Sequence, residues 1–218
     1  KETEPCFRYR ALDFNPLGET PLIRDLVALT LALLQPADRL AWLSVLRAPF
    51  CGLGLADLDL LASGGSDGIL PDAIAGHTEL EISIDGQQRM QRIAPVLLES
   101  ADRRGRDSLR YLVESAWTRL GGPACVRNAS ELDDAATYFD RLEALEDEGR
   151  PVDQETLAQQ LKDLHAEPDA RANGKLQILT LYMAKGLQFD HVILPGLNRE
   201  TRGDGGKLLH WFEWAETD

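Results

Sequence analysis

Between two short apolar runs, Leu176-Gln-Ile-Leu-Thr180 and His191-Val-Ile-Leu194, stands a turn that reads Ala184-Lys-Gly-Leu187. A strand ending in the Thr180 hydroxyl, followed by the small residues Ala184 and Gly186, lets backbone amides approach a phosphate closely. Lys185 supplies a mobile positive charge beside it. Tyr182 adds a ring that can hydrogen-bond or stack on a base, and Gln188 an amide that can accept from a ribose hydroxyl. A second group is Arg103-Arg-Gly-Arg106 with Arg110. Arginines around one turn read either as a solvated junction between helices or as a contact for duplex DNA.

Other chemistry is missing from the pattern. Gly205-Gly-Lys207 has Leu208 where a phosphate loop needs Ser or Thr to hold magnesium, and no strand feeds a glycine-rich turn of the required length. Asp147-Glu148 follows an acidic helix rather than an apolar strand, so it reads as a solvated helix terminus. None of the four histidines sits at i, i+4 from a metal-type ligand in a convincing helix, and no Ser lies in a Gly-x-Ser-x-Gly turn. Cys6, Cys51 and Cys125 are too widely spaced for a disulfide frame or a zinc site and fit reduced, core-filling thiols in a cytosolic protein. Trp211 and Trp214 read as a packing face and are left out of the site. Catalysis by this chain alone, and a metal site, are not expected.

The elements that must position these residues are mostly helical. Phe7–Leu12 alternates as a short strand, and Thr20 before Pro21 is an N-cap with proline at the first helical position. Leu22, Leu26, Leu29 and Leu33 then recur at helical spacing. Asp38 caps a second helix with Leu40, Leu43, Val45 and Leu46, and Leu55 to Leu61 forms a third. Ser63 to Gly76 reads as a long loop. Gln88 to Arg104 and Ser108 to Leu120 follow as helices, the first kinked at Pro95 and the second stopped at Gly121. Ser130 with Asp133 imitates a capping box for a helix with Ala136, Phe139, Leu142 and Leu145 inward, and Asp153 to His165 makes a last helix. After Asn173-Gly174 the two apolar runs look like strands of a covered sheet.

With 218 residues, 44% of them hydrophobic, the chain is large enough for one domain or two small ones. No run approaches the roughly 18 apolar residues of a membrane span, so no membrane partner is expected. The net charge of -13 is unevenly placed. Residues 131–169 hold thirteen acidic against three basic side chains, whereas 87–120 hold seven arginines against four acids. The acidic block repels a polyanion and the arginine stretch does not.

The stretch Leu176 to Leu197 resembles motif V of the UvrD/RecB-like superfamily 1 DNA helicases. Pro21-Leu-Ile-Arg-Asp-Leu26, Pro36-Ala-Asp-Arg-Leu-Ala-Trp-Leu43 and Leu46-Arg-Ala-Pro-Phe-Cys-Gly-Leu53 resemble the insertion subdomain called 2B, which in that family lies between motifs IV and V. The resemblance implies a mainly α fold with a small α/β part. A helical, 2B-like insertion domain with a leading strand covers 1–173, and an incomplete RecA-like segment carrying motif V covers 174–218. It further implies a fragment of an ATP-dependent DNA helicase or helicase-nuclease of the exonuclease V type, beginning after motif IV and ending before motif VI. ATP and Mg2+ would then be cofactors of the parent and not of the fragment alone. Thr180, Tyr182 and Lys185 would touch single-stranded DNA, Gly186 and Gln188 would face the nucleotide, and Arg103, Arg104, Arg106 and Arg110 would guide duplex. Tyr182 stands where the family usually has His, and Gln188 where it has Glu. A partner subunit or nuclease domain is also implied. A different class of reading makes the helical part a non-catalytic adaptor whose acidic block docks a basic partner.

Overall fold

Thr20 and Asp38 show how local chemistry sets the first two helices. The Thr20 hydroxyl accepts from the Ile23 amide and donates to the Leu17 carbonyl, opening α1 (Pro21–Leu34). The Asp38 carboxylate accepts from the Ala41 amide at 2.9 Å and opens α2 (Arg39–Arg47). In each case the side chain satisfies one of the orphan amides of a first helical turn. The computed structural model describes residues 10–11, 16–64, 69–162, 164–165 and 175–196. Within these, the protein is mainly helical. Beyond α1 and α2 it has α3 (Leu55–Gly64), α4 (Leu70–Ala75), α5 (Ile84–Asp102), α6 (Leu109–Arg119), α7 (Ala129–Asp147) and α8 (Gln154–Lys162).

Helix α1 is the centre of the body. Ile23, Leu26, Leu29, Ala32 and Leu33 have no exposed surface, and α2, α5, α6, α7 and α8 all pack on it. Trp42 of α2, Met90, Ile93 and Leu97 of α5, Leu112 and Val113 of α6, and Tyr138 and Leu142 of α7 complete one continuous core. Each such side chain stabilises the fold by about 1.5–3 kcal/mol. Trp117 and Phe139 hold α6 to α7 with ring centroids 5.7 Å apart. Helix α6 stops where Gly121 takes φ 85°, a backbone that side chains rarely adopt. A Cβ on the next residue, Gly122, would lie 2.0 Å from the Trp117 indole nitrogen.

Three expectations for the helices need correction. Leu70–Ala75, read as loop, is a helix that buries Leu70, Ala73 and Ile74. These three apolar positions share one face, but the surrounding Gly, Ser and Asp residues hid them. Helix α7 is capped by Asn128, not Ser130. The Asn128 side chain accepts from the Glu131 amide at 3.0 Å, while the Glu131 carboxylate accepts from the Arg127 amide at 2.7 Å. Its inward face is set by Ala135, Tyr138, Phe139, Leu142 and Leu145, and Ala136 is exposed.

Strand β1 (Arg10–Ala11) pairs in parallel with β2 (Gln177–Ile178), Arg10 opposite Gln177 and Ala11 opposite Ile178. The second expected strand, His191–Leu194, has no ladder among the described residues, and Ile193 is 84% exposed. A strand assignment needs a hydrogen-bonded neighbour, and none of the described residues supplies one. Close to the β1–β2 pair, the Leu17 amide donates to the Leu164 carbonyl at 2.7 Å, and Pro16 bridges His165. The helical body is thus pinched shut where the chain enters and leaves it. The chain divides into two units, Lys1–Met183 and Ala184–Asp218. Cys6, Phe7–Tyr9, Leu12, Asn173-Gly174, Leu197, Gly205–Leu208, Trp211 and Trp214 lie outside the described residues.

Candidate functional site

Thr180 follows β2 by two residues, where the chain leaves the ladder and turns. Its hydroxyl accepts from the Met183 amide at 3.3 Å, a side-chain-closed turn. Tyr182, within that turn, is 92% exposed and Leu181 77%. An aromatic ring presented in this way can accept a stacked base without rearrangement. In the second unit, the Leu187 amide donates to the Ala184 carbonyl at 3.0 Å, and Gly186 takes φ 85°. Nothing stands within 4 Å of the position a Gly186 side chain would occupy, so the glycine is required by its backbone angle and not by crowding. Lys185 and Gln188 are exposed. Thr180 and Tyr182 therefore share one turn, and Lys185 and Gly186 share another.

The arginine group has a different character. Arg103, in the turn after α5, makes two hydrogen bonds to the Asp107 carboxylate, and Arg106 pairs with Asp102 at 3.3 Å. Arg110 on α6 reaches across to α7, where its guanidinium meets Asp140 at 2.5 Å and Glu143 at 2.7 Å, and it also touches Glu114 on its own helix. The bonds from Glu143 and Asp140 raise the affinity of Arg110 for its proton further still. Arg103 holds the Asp107 carboxyl below the usual range. Arg104 alone of the four meets no carboxylate among the described residues, and it donates to the Leu34 carbonyl at the end of α1 at 2.9 Å. Asp107, Asp102 and Glu114 stand four residues from Arg103, Arg106 and Arg110, but the pairing of Arg110 with Asp140 and Glu143 was hidden because these are about thirty residues further along the chain. Cations already held by carboxylates offer less to a phosphate than free ones.

A feature the sequence reading missed is an open groove of about 750 Å³ between α1, α2 and α8. Its walls include Arg24, Val27, Ala28 and Leu31 of α1, Leu40, Ala41 and Ser44 of α2, and Ala158, Leu161 and Lys162 of α8. The α1 stripe repeats at i, i+3, i+4 and i+7, the one signal that marked this face. Elsewhere, burial pushes the Cys51 thiol up to about 12, so this cysteine is an inert filler rather than a nucleophile, whereas Cys125, expected in the core, is exposed. Among the described residues no group of three or more His, Cys, Asp or Glu is placed to hold a metal ion, and no helix is long and apolar enough to cross a membrane. No family model matches the chain, and no curated protein matches it significantly.

Proposed function

We propose that this chain is part of an ATP-dependent DNA helicase or helicase-nuclease of the UvrD/RecB-like class, acting in DNA repair or recombination. Its helical body is the insertion, and residues 174–218 belong to a RecA-like sheet that is completed by other parts of the parent. The observation that carries this reading is the parallel pairing of β1 with β2. Parallel neighbours require a crossover connection, and here the crossover is the whole helical body, closed at its neck by Leu17 and Leu164. Two parallel strands alone are not a stable sheet, and parallel sheets are covered on both faces. Exposed Ile178, Val192, Ile193 and Leu194 fit surfaces that such a sheet would cover.

Thr180, Tyr182 and Lys185 grip single-stranded DNA, and Gly186 and Gln188 face the nucleotide sugar, so that nucleotide state alters the grip on the strand. ATP and Mg2+ are ligands of the parent motor. The donors present here, one amide and backbone, fit a sugar contact and not a magnesium shell, so no magnesium-dependent step is assigned to this chain. In the intact polypeptide, Lys185→Ala should lower DNA-stimulated ATPase while leaving the DNA-independent rate in place. Unchanged stimulation would remove this turn from the mechanism.

A second reading, a helical adaptor that docks a partner subunit, has one observation in its favour. Arg103, Arg106 and Arg110 are already held by Asp102, Asp107, Glu114, Asp140 and Glu143. That surface carries more acid than base, which suits a basic protein better than duplex DNA.

A further inference from the structure

Between Arg47 and Arg89 the chain has no lysine or arginine, against seven Asp and Glu. The same stretch concentrates exposed apolar surface. Among the described residues before Leu176, seven large apolar side chains are exposed, and four of them are Leu55, Leu60, Ile69 and Ile84. Segment 80–86 runs along α3. At one end the Leu80 side chain lies 2.7 Å from where a Gly64 Cβ would stand, and at the other the Ser83 amide donates to the Asp57 carboxylate at 2.7 Å. A Cβ on Gly54 would lie 3.8 Å from the same carboxylate. Leu55 and Ile84, the first residues of α3 and α5, therefore flank one buried group, and they are 70% and 82% exposed. Single exposed leucines are ordinary, but neighbouring ones rimmed by polar groups mark an interaction surface.

The rim is one-sided in charge. Asp59, Glu79 and Glu81 are exposed and make no ion pair among the described residues. The cations that reach the stretch from outside are engaged. Arg39 donates to the Ala62 carbonyl, Arg89 pairs with Asp85 at 2.7 Å, and Arg92 donates to the Phe50 and Leu120 carbonyls. Even with these three counted, Asp57, Asp59, Asp72, Glu79, Glu81 and Asp85 outnumber them. We infer that this edge of the body docks a lysine- or arginine-rich segment of a partner protein. Its apolar residues cover Leu55, Leu60 and Ile84, and its cations meet Asp59, Glu79 and Glu81. Opposite charge steers such a segment into place and the apolar contacts hold it. A nucleic acid or an anionic membrane would be repelled here. The surface uses other elements than the α6–α7 acids and the 176–196 segment, so each can fail without the others.

The test uses the whole 218-residue chain and three fluorescein-labelled synthetic peptides, each long enough for about four helical turns. The first carries Leu and Lys, the second Leu and Glu, the third Ser and Lys. Fluorescence anisotropy should show the Leu-Lys peptide binding about tenfold more tightly than either of the others. Leu55→Ser combined with Ile84→Ser should abolish its advantage over the Ser-Lys peptide. Asp59→Lys combined with Glu79→Lys and Glu81→Lys should weaken its binding about tenfold. An equal reversal on α7 and α8, Asp133→Lys with Asp147→Lys and Glu155→Lys, should change that binding by no more than about twofold. All these positions are exposed, and circular dichroism should show every variant as helical as the parent chain. Equal affinity for the three peptides, binding of none, or an equal loss from the α7–α8 reversal would overturn the assignment. So would a dimer in sedimentation that Leu55→Ser with Ile84→Ser dissolves, because the occupant would then be a second copy of this chain.

Discussion

Gly86→Ala sets two opposite effects against each other, and the structure decides the sign. In the third position of α5, alanine is the better helix former by up to about 1 kcal/mol. A Cβ there would lie 2.5 Å from Asp57 Oδ2 and 2.8 Å from its Cγ. Asp57 is 6% exposed. Its carboxylate accepts from the Ser83 amide at 2.7 Å and the Ser83 hydroxyl at 2.8 Å, and that hydroxyl accepts from the Gly86 amide at 3.0 Å. So short and tethered a side chain cannot swing aside without breaking these bonds, each worth about 2 kcal/mol because the acceptor is charged. Losing one or both against the gain in propensity leaves a net loss of about 1 to 3 kcal/mol. Urea unfolding followed by tryptophan fluorescence should then show a midpoint lower by about 0.5–1.5 M, taking a slope of about 2 kcal/mol/M. The background Asp57→Ala removes the obstacle, so there the same glycine substitution should be neutral or stabilising. A raised midpoint in the wild-type background, or an equal loss in both, would refute the reasoning.

Three further outcomes follow from the packing and the charges. Tyr138→Phe deletes a buried hydroxyl that lies 2.7 Å from the Thr30 hydroxyl. Thr30 keeps its bond to the Leu26 carbonyl, so thermal unfolding should show a loss of only about 1 kcal/mol. Burial pushes Asp25 up to about 6 from an ordinary 3.8. The folded state therefore holds this proton more tightly than the unfolded chain, and its stabilising contribution is present below pH 3.8 and lost as pH rises through about 6. Asp25→Asn should flatten that fall in a pH series of urea midpoints, and an unchanged slope would show that the carboxyl is not held as the structure has it. Because Arg103 and Arg106 are held by Asp107 and Asp102, replacing both with alanine should change the affinity of the chain for duplex DNA by no more than about twofold. A tenfold loss in a low-salt binding assay would show instead that they grip phosphates.

What could be read from the sequence was set by short-range chemistry. Thr20 and Asp38 were legible as caps because the acceptor and the amide it serves lie three residues apart. The leucine spacing of α1 gave its buried stripe for the same reason. Asn128 was passed over because Ser130 and Asp133 offer the same pattern two residues later, and only packing of Tyr138 against Thr30 fixes the register. Leu70–Ala75 was missed because a six-residue helix has too little periodicity to register alone. The arginines of the candidate site were visible as residue types, but the pairing of Arg110 depends on α7 folding back onto α6. For the turn after β2, the sequence showed the residue types of Thr180, Tyr182, Lys185 and Gln188. The exposure of Tyr182 was not legible, since it depends on what packs nearby.

The neck formed by Leu17 and Leu164, beside adjacent strands β1 and β2, makes the helical body a cassette. At that neck Pro16 and His165 are antiparallel bridge partners, and residues paired in that way are about 5 Å apart, a gap that a very short linker spans. The body can therefore be excised, or exchanged for another of quite different size, without stretching the polypeptide on either side. A lineage could enlarge, trim or replace such a module while the strands flanking it stay in register, and a grafted version should need only those two attachment points preserved.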